Sequence, residues 1–442
     1  MRRAYAKARS KNGSVNVVPA SDFGRLASAF LPGWDPAPEV VSSVAEIVAR
    51  VRTAGDVALV EYAKRFDEES FDVSRIRVPL PMYDQARALV SNETVVALEL
   101  ARERIERFHE RQRQLDLSYA EEDGTRYALY RRPLESVAVY APGTSTHSPA
   151  SVLMGAIPAK IAGVNRTIVL SPPRHNGYVH PAVVFACTMC GVDELYALGG
   201  AHAIAAAAYG TESVERVDKI VGPGGVWVTE AKRQVFGRCG VDALAGPSEV
   251  LVVADDGANS EYVAGELLAQ AEYSDSARLG VVSESRPLLE AVAQLLDTLG
   301  LDTLERGDSI EAAVERGCVL MHAANRDEVF ETIERFAPGC LCLQVRDAAA
   351  YLPRIRRAGT IFVGDLTPLA CGDYVAGTNH VVPTSGTARW SSALRLEDFT
   401  RSVSVVENTA ERMMNDALSV ASLAELENLP QHAQTARMRY GG

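Results

Sequence analysis

The sequence predicts an α/β protein made of two lobes, each a parallel sheet covered on both faces, with smaller helical segments at the two ends. Three observations carry this. From about residue 134 short Val/Ile/Leu runs alternate with helical stretches, and strands buried on both faces read as unbroken apolar runs. The alternation comes in two successive series. A chain of 442 residues, 47% hydrophobic and 23% charged, also exceeds what one core can hold, so several domains are expected.

The first series places strands at 136–140, 166–170, 194–198 and 218–221, with alanine-rich helices at 150–162 and 201–209 between them. The second places strands at 249–253, 278–282, 318–321, 341–345 and 360–363, spaced by helices at 262–273, 287–299, 327–336 and 348–357. The expected division is a helical N-terminal region over 1–133, a cofactor-side lobe over 134–247, a substrate-side lobe over 248–394 and a tail over 395–442. In the N-terminal region Val44, Ile47, Val48 and Val51 form one apolar stripe of a helix over 41–66. A charged helix over 93–117 offers Leu98, Leu100, Ile105 and Phe108 to the core and its many Arg and Glu residues to solvent. Residues 1 to about 15 are polar and expected to be mobile. The tail holds a short strand near 402–406 and a helical pattern over 408–437, whose Leu and Met positions need another surface to bury them.

Composition narrows the function. The formal net charge of −12 argues against nucleic-acid binding, which wants a basic footprint. No run of 18 apolar residues occurs, so no membrane span is expected. Met1-Arg2-Arg3 has no apolar stretch behind it, so no secretory signal is expected. Seven scattered cysteines suggest reduced thiols and a cytoplasmic setting. Cys187 and Cys190 have CxxC spacing, but no second pair stands at zinc-ribbon distance, so a structural role is expected.

Ligands of open α/β sheets sit beyond the carboxyl ends of strands, so the loops that follow strands are the first places to look. Gly222-Pro223-Gly224-Gly225 lies between a strand and a helix over 226–235, where backbone N–H groups can meet a phosphate. It is not GxGxxG, so by itself it is a weak nucleotide signal. More specific are Val228-Thr229-Glu230-Ala231-Lys232-Arg233-Gln234-Val235, Ala245-Gly246-Pro247-Ser248-Glu249, Gln270-Ala271-Glu272 and Gly372-Asp373-Tyr374-Val375-Ala376-Gly377-Thr378-Asn379-His380. In this order, over roughly residues 40–440, they closely resemble the histidinol dehydrogenase family, zinc- and NAD-dependent oxidoreductases.

The resemblance implies two Rossmann-like, incomplete dinucleotide-fold lobes in an intertwined homodimer, with the tail crossing to the partner's active site. It implies zinc held at Gln270, Tyr273, Asp373 and His432. The family has His where Tyr273 stands; a phenol with a pKa of about 10 is a poor ligand near neutral pH, so zinc binding is expected to be weakened or lost. The alternative is a hydrogen-bonded cluster of Gln270, Asp373 and His432 with Tyr273 donating into it. The resemblance also implies substrate contacts from Ser248, Gln270, Asp373, His380, Glu427 and His432. NAD contacts are implied at Tyr140, at His202 (a Gln in the family) and at Gly225 (an Asn in the family), beside Gly222 and Gly224.

The family's acid/base Glu-His pair is here Gly339-Cys340, after Pro338. Glycine can neither give nor take a proton, so the family's oxidation of an amino alcohol to an amino acid is not expected by the family's route. Cys340 is either a nucleophile toward a carbonyl or a small buried thiol at the start of a strand. Tyr273 and His380 are the candidates to relay a proton. Three readings stay open: an NAD-dependent dehydrogenase of another small polar or amino alcohol, a lapsed paralogue acting as a binding or scaffold protein, and histidinol dehydrogenase itself.

Overall fold

The computed structural model describes residues 15–23, 35–143, 147–244, 246–298 and 306–440. The polar stretch before residue 15 and Ala245 of the Gly246–Glu249 motif lie outside them. The two lobes are as expected. Ser136–Tyr140, Arg166–Leu170, Glu194–Tyr196, Lys219–Val221 and Gly240–Val241 form one five-stranded parallel sheet. Glu249–Ala254, Arg278–Ser283, Cys318–His322, Cys340–Gln344 and Thr360–Val363 form a second parallel sheet. The distant segment Val17–Pro19 adds a sixth strand to its edge, in register with Leu320–His322. Five of the six residues of Arg278–Ser283 are buried, as are all six of Glu249–Ala254, which is why both strands carry apolar residues without alternation.

The helices follow their sequence signals. Ser148 accepts from Ser151 N–H and Pro149 occupies the first turn, opening the helix Pro149–Ala162. Gly163 and Gly191 close two helices in the left-handed conformation. The expected helix over 41–66 is a longer segment, Pro38–Phe66, broken at Gly55 by a φ of 52°. There the backbone N–H of Asp56 turns to Glu212, 2.8 Å away. On the helix Asn92–Glu110, Leu98 and Ile105 are buried as expected, whereas Leu100 and Phe108 are exposed.

The N-terminal region is not purely helical. Leu117–Ala120 and Arg126–Pro133 pair antiparallel, and Arg126–Pro133 pairs along its full length with Thr400–Glu407 of the tail. Beyond that ribbon, Ala410–Leu426 and Pro430–Tyr440 form a helical hairpin closed by Ala421, Ala424 and Ala433. Its outer faces leave Leu418, Leu423, Leu426 and Met438 exposed. Among the described residues no helix is long and apolar enough to cross a membrane.

Candidate active site between the lobes

The glycine turn of the first lobe is built by residues far apart in the chain. Gly222 ends its strand with a φ of 112°, and a Cβ there would sit 2.3 Å from the Tyr140 carbonyl oxygen, so only glycine fits. Its N–H donates to Asp242 Oδ2 at 2.7 Å, while Lys232 donates to its carbonyl and to Asp242 Oδ1. Asp242 and Lys232 are both buried, so this turn is held rigidly. Gly225 then starts the helix Val226–Val235 with no side-chain cap, and a Cβ on it would meet nothing within 4 Å. An uncapped ten-residue helix start beside open space suits a phosphate.

Tyr140 lies next to this turn with its hydroxyl accepting from the Gly200 N–H at 3.1 Å; burial pushes its pKa up to about 12. His202, by contrast, is only 1% exposed. Its ring stacks on Tyr62 and Phe66, and Nε2 stands 3.8 Å from Asp67 Oδ2. Burial drives its pKa down to about 3, so the ring is neutral. The structure therefore places His202 beneath the end of an N-terminal helix.

The second lobe brings its candidates together at an unexpected edge. Ser248 precedes the strand Glu249–Ala254, Cys340 begins Cys340–Gln344, and Tyr273 lies just before Arg278–Ser283. These are amino ends of strands, so the candidates follow strands in the first lobe and precede them here. The reason is the junction: Asn379, buried, donates to the Met154 carbonyl of the first lobe at 2.7 Å and accepts from Val381 N–H, pinning the loop around His380 against the first lobe's helix.

Around that pin runs a chain of hydrogen bonds. Tyr273 Oη donates to Asp373 Oδ2 at 3.2 Å. His380 Nδ1 lies 3.0 Å from the Asp373 carbonyl oxygen, which can only accept, so Nδ1 carries the proton. His380 Nε2 is then the acceptor for Ser151 Oγ at 3.1 Å, and Ser151 contacts Ser148 Oγ at 2.7 Å. Burial lowers the His380 pKa to about 4 and raises that of Asp373 to about 6, with Glu266 adding to the latter and the Tyr273 bond opposing it. The Tyr273 hydroxyl is pushed well above its ordinary value by burial and by Asp373. Gln270, 4% exposed, sits one turn earlier on the helix Ser260–Ala271. Ser248 is half-buried, and its carbonyl accepts from Arg278 N–H at 2.8 Å.

Zinc does not fit this donor set. Tyr273 keeps its proton and donates it in a hydrogen bond to Asp373, so it offers a cation only a weak, neutral phenol oxygen where an imidazole or an anion is wanted. Within the cluster the Gln270 amide and the Asp373 carboxylate remain, short of the charged or imidazole ligands zinc prefers. Glu427 and His432 are exposed on the tail hairpin.

Cys340 is 6% exposed. Burial and the nearby carboxylates of Asp373, Glu249 and Glu266 hold its thiol pKa well above the ordinary value. The expectation of a nucleophile finds no support in that placement, because the thiolate is the reactive form. Gly339 is equally constrained: a Cβ would stand 2.5 Å from the Pro383 carbonyl oxygen. Its N–H donates to Glu249 Oε1 at 2.9 Å, and Ser385 N–H to Oε2 at 2.9 Å. Burial lifts the Glu249 pKa to about 8 against those bonds.

Sequence reading missed Ser151, Asp242 and Glu249. Each carries a signal only in three dimensions: a polar group with less than a tenth of its surface exposed, or, for Asp242, an ion pair with a lysine ten residues away.

The comparisons agree with this architecture. Residues 35–440 match the family model described as histidinol dehydrogenase. The chain is 41% identical over 422 residues to a histidinol dehydrogenase of Pseudomonas aeruginosa, covering 95% of each chain. It is 40% identical over 402 residues to one of Listeria monocytogenes, covering 91% of this chain and 93% of that one. The crystal structure of histidinol dehydrogenase from Elizabethkingia anophelis superposes with a TM-score of 0.88 at 31% identity, covering 96% of both chains. The chain belongs to the histidinol dehydrogenase family.

Proposed function

We propose that the protein is an NAD-dependent dehydrogenase that oxidises a small polar alcohol in one two-electron step, alcohol to aldehyde. The family is one of NAD-dependent dehydrogenases. The observation that carries the finer reading is the contrast between two neighbouring positions. The chain Tyr273–Asp373–His380–Ser151 is assembled, while the strand start at Gly339-Cys340 offers no proton-transfer group and no room for a side chain at 339. The second oxidation needs water activated by an acid/base pair, and nothing at 339–340 supplies one.

Tyr140 and the turn at Gly222, Gly224 and Gly225 would hold NAD, and bound NAD supplies the hydride acceptor. Asp373 binds the alcohol hydroxyl or a neighbouring cationic group. With a pKa of about 6 it is a base suited to neutral pH, and general-base catalysis contributes about 10²- to 10⁴-fold. Tyr273 orients its Oδ2, and His380 fixes its main chain through Nδ1–H. Ser248 and Gln270 would add further contacts to the substrate. The exposed apolar faces of the tail hairpin support a homodimer in which Glu427 and His432 complete the partner's pocket. The seven free cysteines support a cytoplasmic setting.

A second reading, oxidation of histidinol itself, is favoured by relatives of that name near 40% identity. Counting NADH decides between them. One NADH per molecule of a non-histidinol alcohol supports the proposal. Two NADH per histidinol, at a rate typical of dehydrogenases, replaces it with the second reading. No NADH from any alcohol, together with no thermal shift by NAD, would mark a lapsed enzyme.

A further inference from the structure

Three of the chain's eight histidines meet in a cluster that the functional reading above does not use. His147, His175 and His180 each offer a ring nitrogen, and those atoms all lie within 4.8 Å of one another. The rings of His147 and His180 stack at 4.2 Å with 18° between their planes; His175 stands edge-on to His180 at 4.6 Å. They come from two different loops at the carboxyl edge of the first lobe's sheet. His147 follows Ser136–Tyr140, and His175 and His180 follow Arg166–Leu170.

The fold holds His175, His180 and the cap that follows His147 in place. His175 opens a two-residue turn whose central Asn176 and Gly177 have φ of 52° and 77°, and His175 and Tyr178 exchange both backbone hydrogen bonds at 2.9 Å. That is the tight hairpin geometry that Asn-Gly favours. Arg75 clamps the turn from outside, donating to the Gly177 carbonyl with its guanidinium 4.8 Å over the Tyr178 ring. His180 caps the helix Pro181–Cys190, and His147 adjoins Ser148, the cap of Pro149–Ala162.

We propose that His147, His175 and His180 form a binding site for a divalent transition-metal ion of the zinc class, distinct from the family's zinc position at Gln270 and Asp373. Three imidazoles with solvent access at one side match the three-ligand plan that leaves a fourth position open. A tetrahedral ion with Zn–N of about 2.0–2.1 Å needs its nitrogens about 3.3 Å apart, so the rings close by small side-chain rotations and the stacked pair splays. His180 Nδ1 now accepts from the Ala182 N–H at 3.2 Å. Ligation through Nε2 moves the ring proton to Nδ1 and releases that long bond. The two helix starts oppose a cation, but the dipole effect is small beside three metal–nitrogen bonds. Ser148 connects through Ser151 to His380, so an ion here adjoins the hydrogen-bond chain of the candidate active site.

The test uses the full-length protein, stripped with a chelator, dialysed and titrated with zinc(II) or cobalt(II) alone. The expected result is one equivalent bound, with the visible absorption of tetrahedral cobalt(II). His175→Gln, at a partly exposed position, should weaken it about a hundredfold or more, and His147→Gln likewise, with unfolding transitions confirming that both variants fold. Asp373→Asn should leave this equivalent in place. Wild-type protein that binds neither ion, or an equivalent that survives both histidine substitutions or disappears with Asp373→Asn alone, overturns the proposal.

Discussion

Tyr273 shows how much one side chain decides. As a protonated phenol it donates to Asp373; an imidazole there would be a metal ligand instead. In a His175→Gln background, which removes the separate three-histidine cluster, Tyr273→His should raise zinc affinity at least about tenfold, or about 1.4 kcal/mol, read by competition with a chromophoric chelator. Asp373→Asn should lower kcat about a hundredfold or more with little change in the unfolding temperature. Cys340 should remain unlabelled by iodoacetamide at neutral pH under native conditions, and Cys340→Ala should keep its activity, because the thiol is buried and protonated. His202 gives a pH signature. Its folded pKa lies below the unfolded value of about 6.5, so the unfolded state binds the proton first. The stability this contributes is present above pH 6.5 and is lost as pH falls toward about 3. Each pH unit in that window costs up to about 1.4 kcal/mol. The melting temperature of His202→Gln should therefore fall less between pH 7 and pH 5 than that of the wild type.

At the scale of elements, the glycine turn and the Gly339 strand start work by close backbone approach. Gly222→Ala places a methyl against the Tyr140 carbonyl at a φ of 112°, which should cost on the order of 3 kcal/mol in denaturant unfolding and weaken NAD binding. The glycines themselves were legible as a turn after a strand. Their fixing by Asp242 and Lys232 was not, because an ion pair ten residues apart has no local pattern. The same holds for the second lobe. Its strands were read correctly from apolar runs, yet the candidates were expected at carboxyl ends, and Ser248, Tyr273 and Cys340 lie at amino ends. Which edge faces the other lobe depends on how the lobes dock, and docking rests on contacts such as Asn379 to Met154, 225 residues apart.

For the whole molecule, the tail is tied down by its strand Thr400–Glu407, while its helical hairpin keeps exposed outer faces. Its hairpin buries only small alanines inside and exposes Leu418, Leu423, Leu426 and Met438. For the proposed homodimer, Leu423→Glu with Leu426→Glu should give monomers in sedimentation and abolish activity, because the proposed contribution of Glu427 and His432 to a second pocket is lost. By itself the sequence determined the two parallel-sheet lobes and the family, since apolar periodicity and long motifs are local properties; the helix expected over 93–117 ends at Glu110, that over 348–357 at Tyr351, and that over 408–437 is two helices. Only the tertiary structure decided that Val17–Pro19 joins the second sheet, that His202 is covered, that Cys340 is sealed in and that three histidines converge. Each of these depends on which distant surfaces exclude water from one another, a property of the packed chain and of no stretch within it.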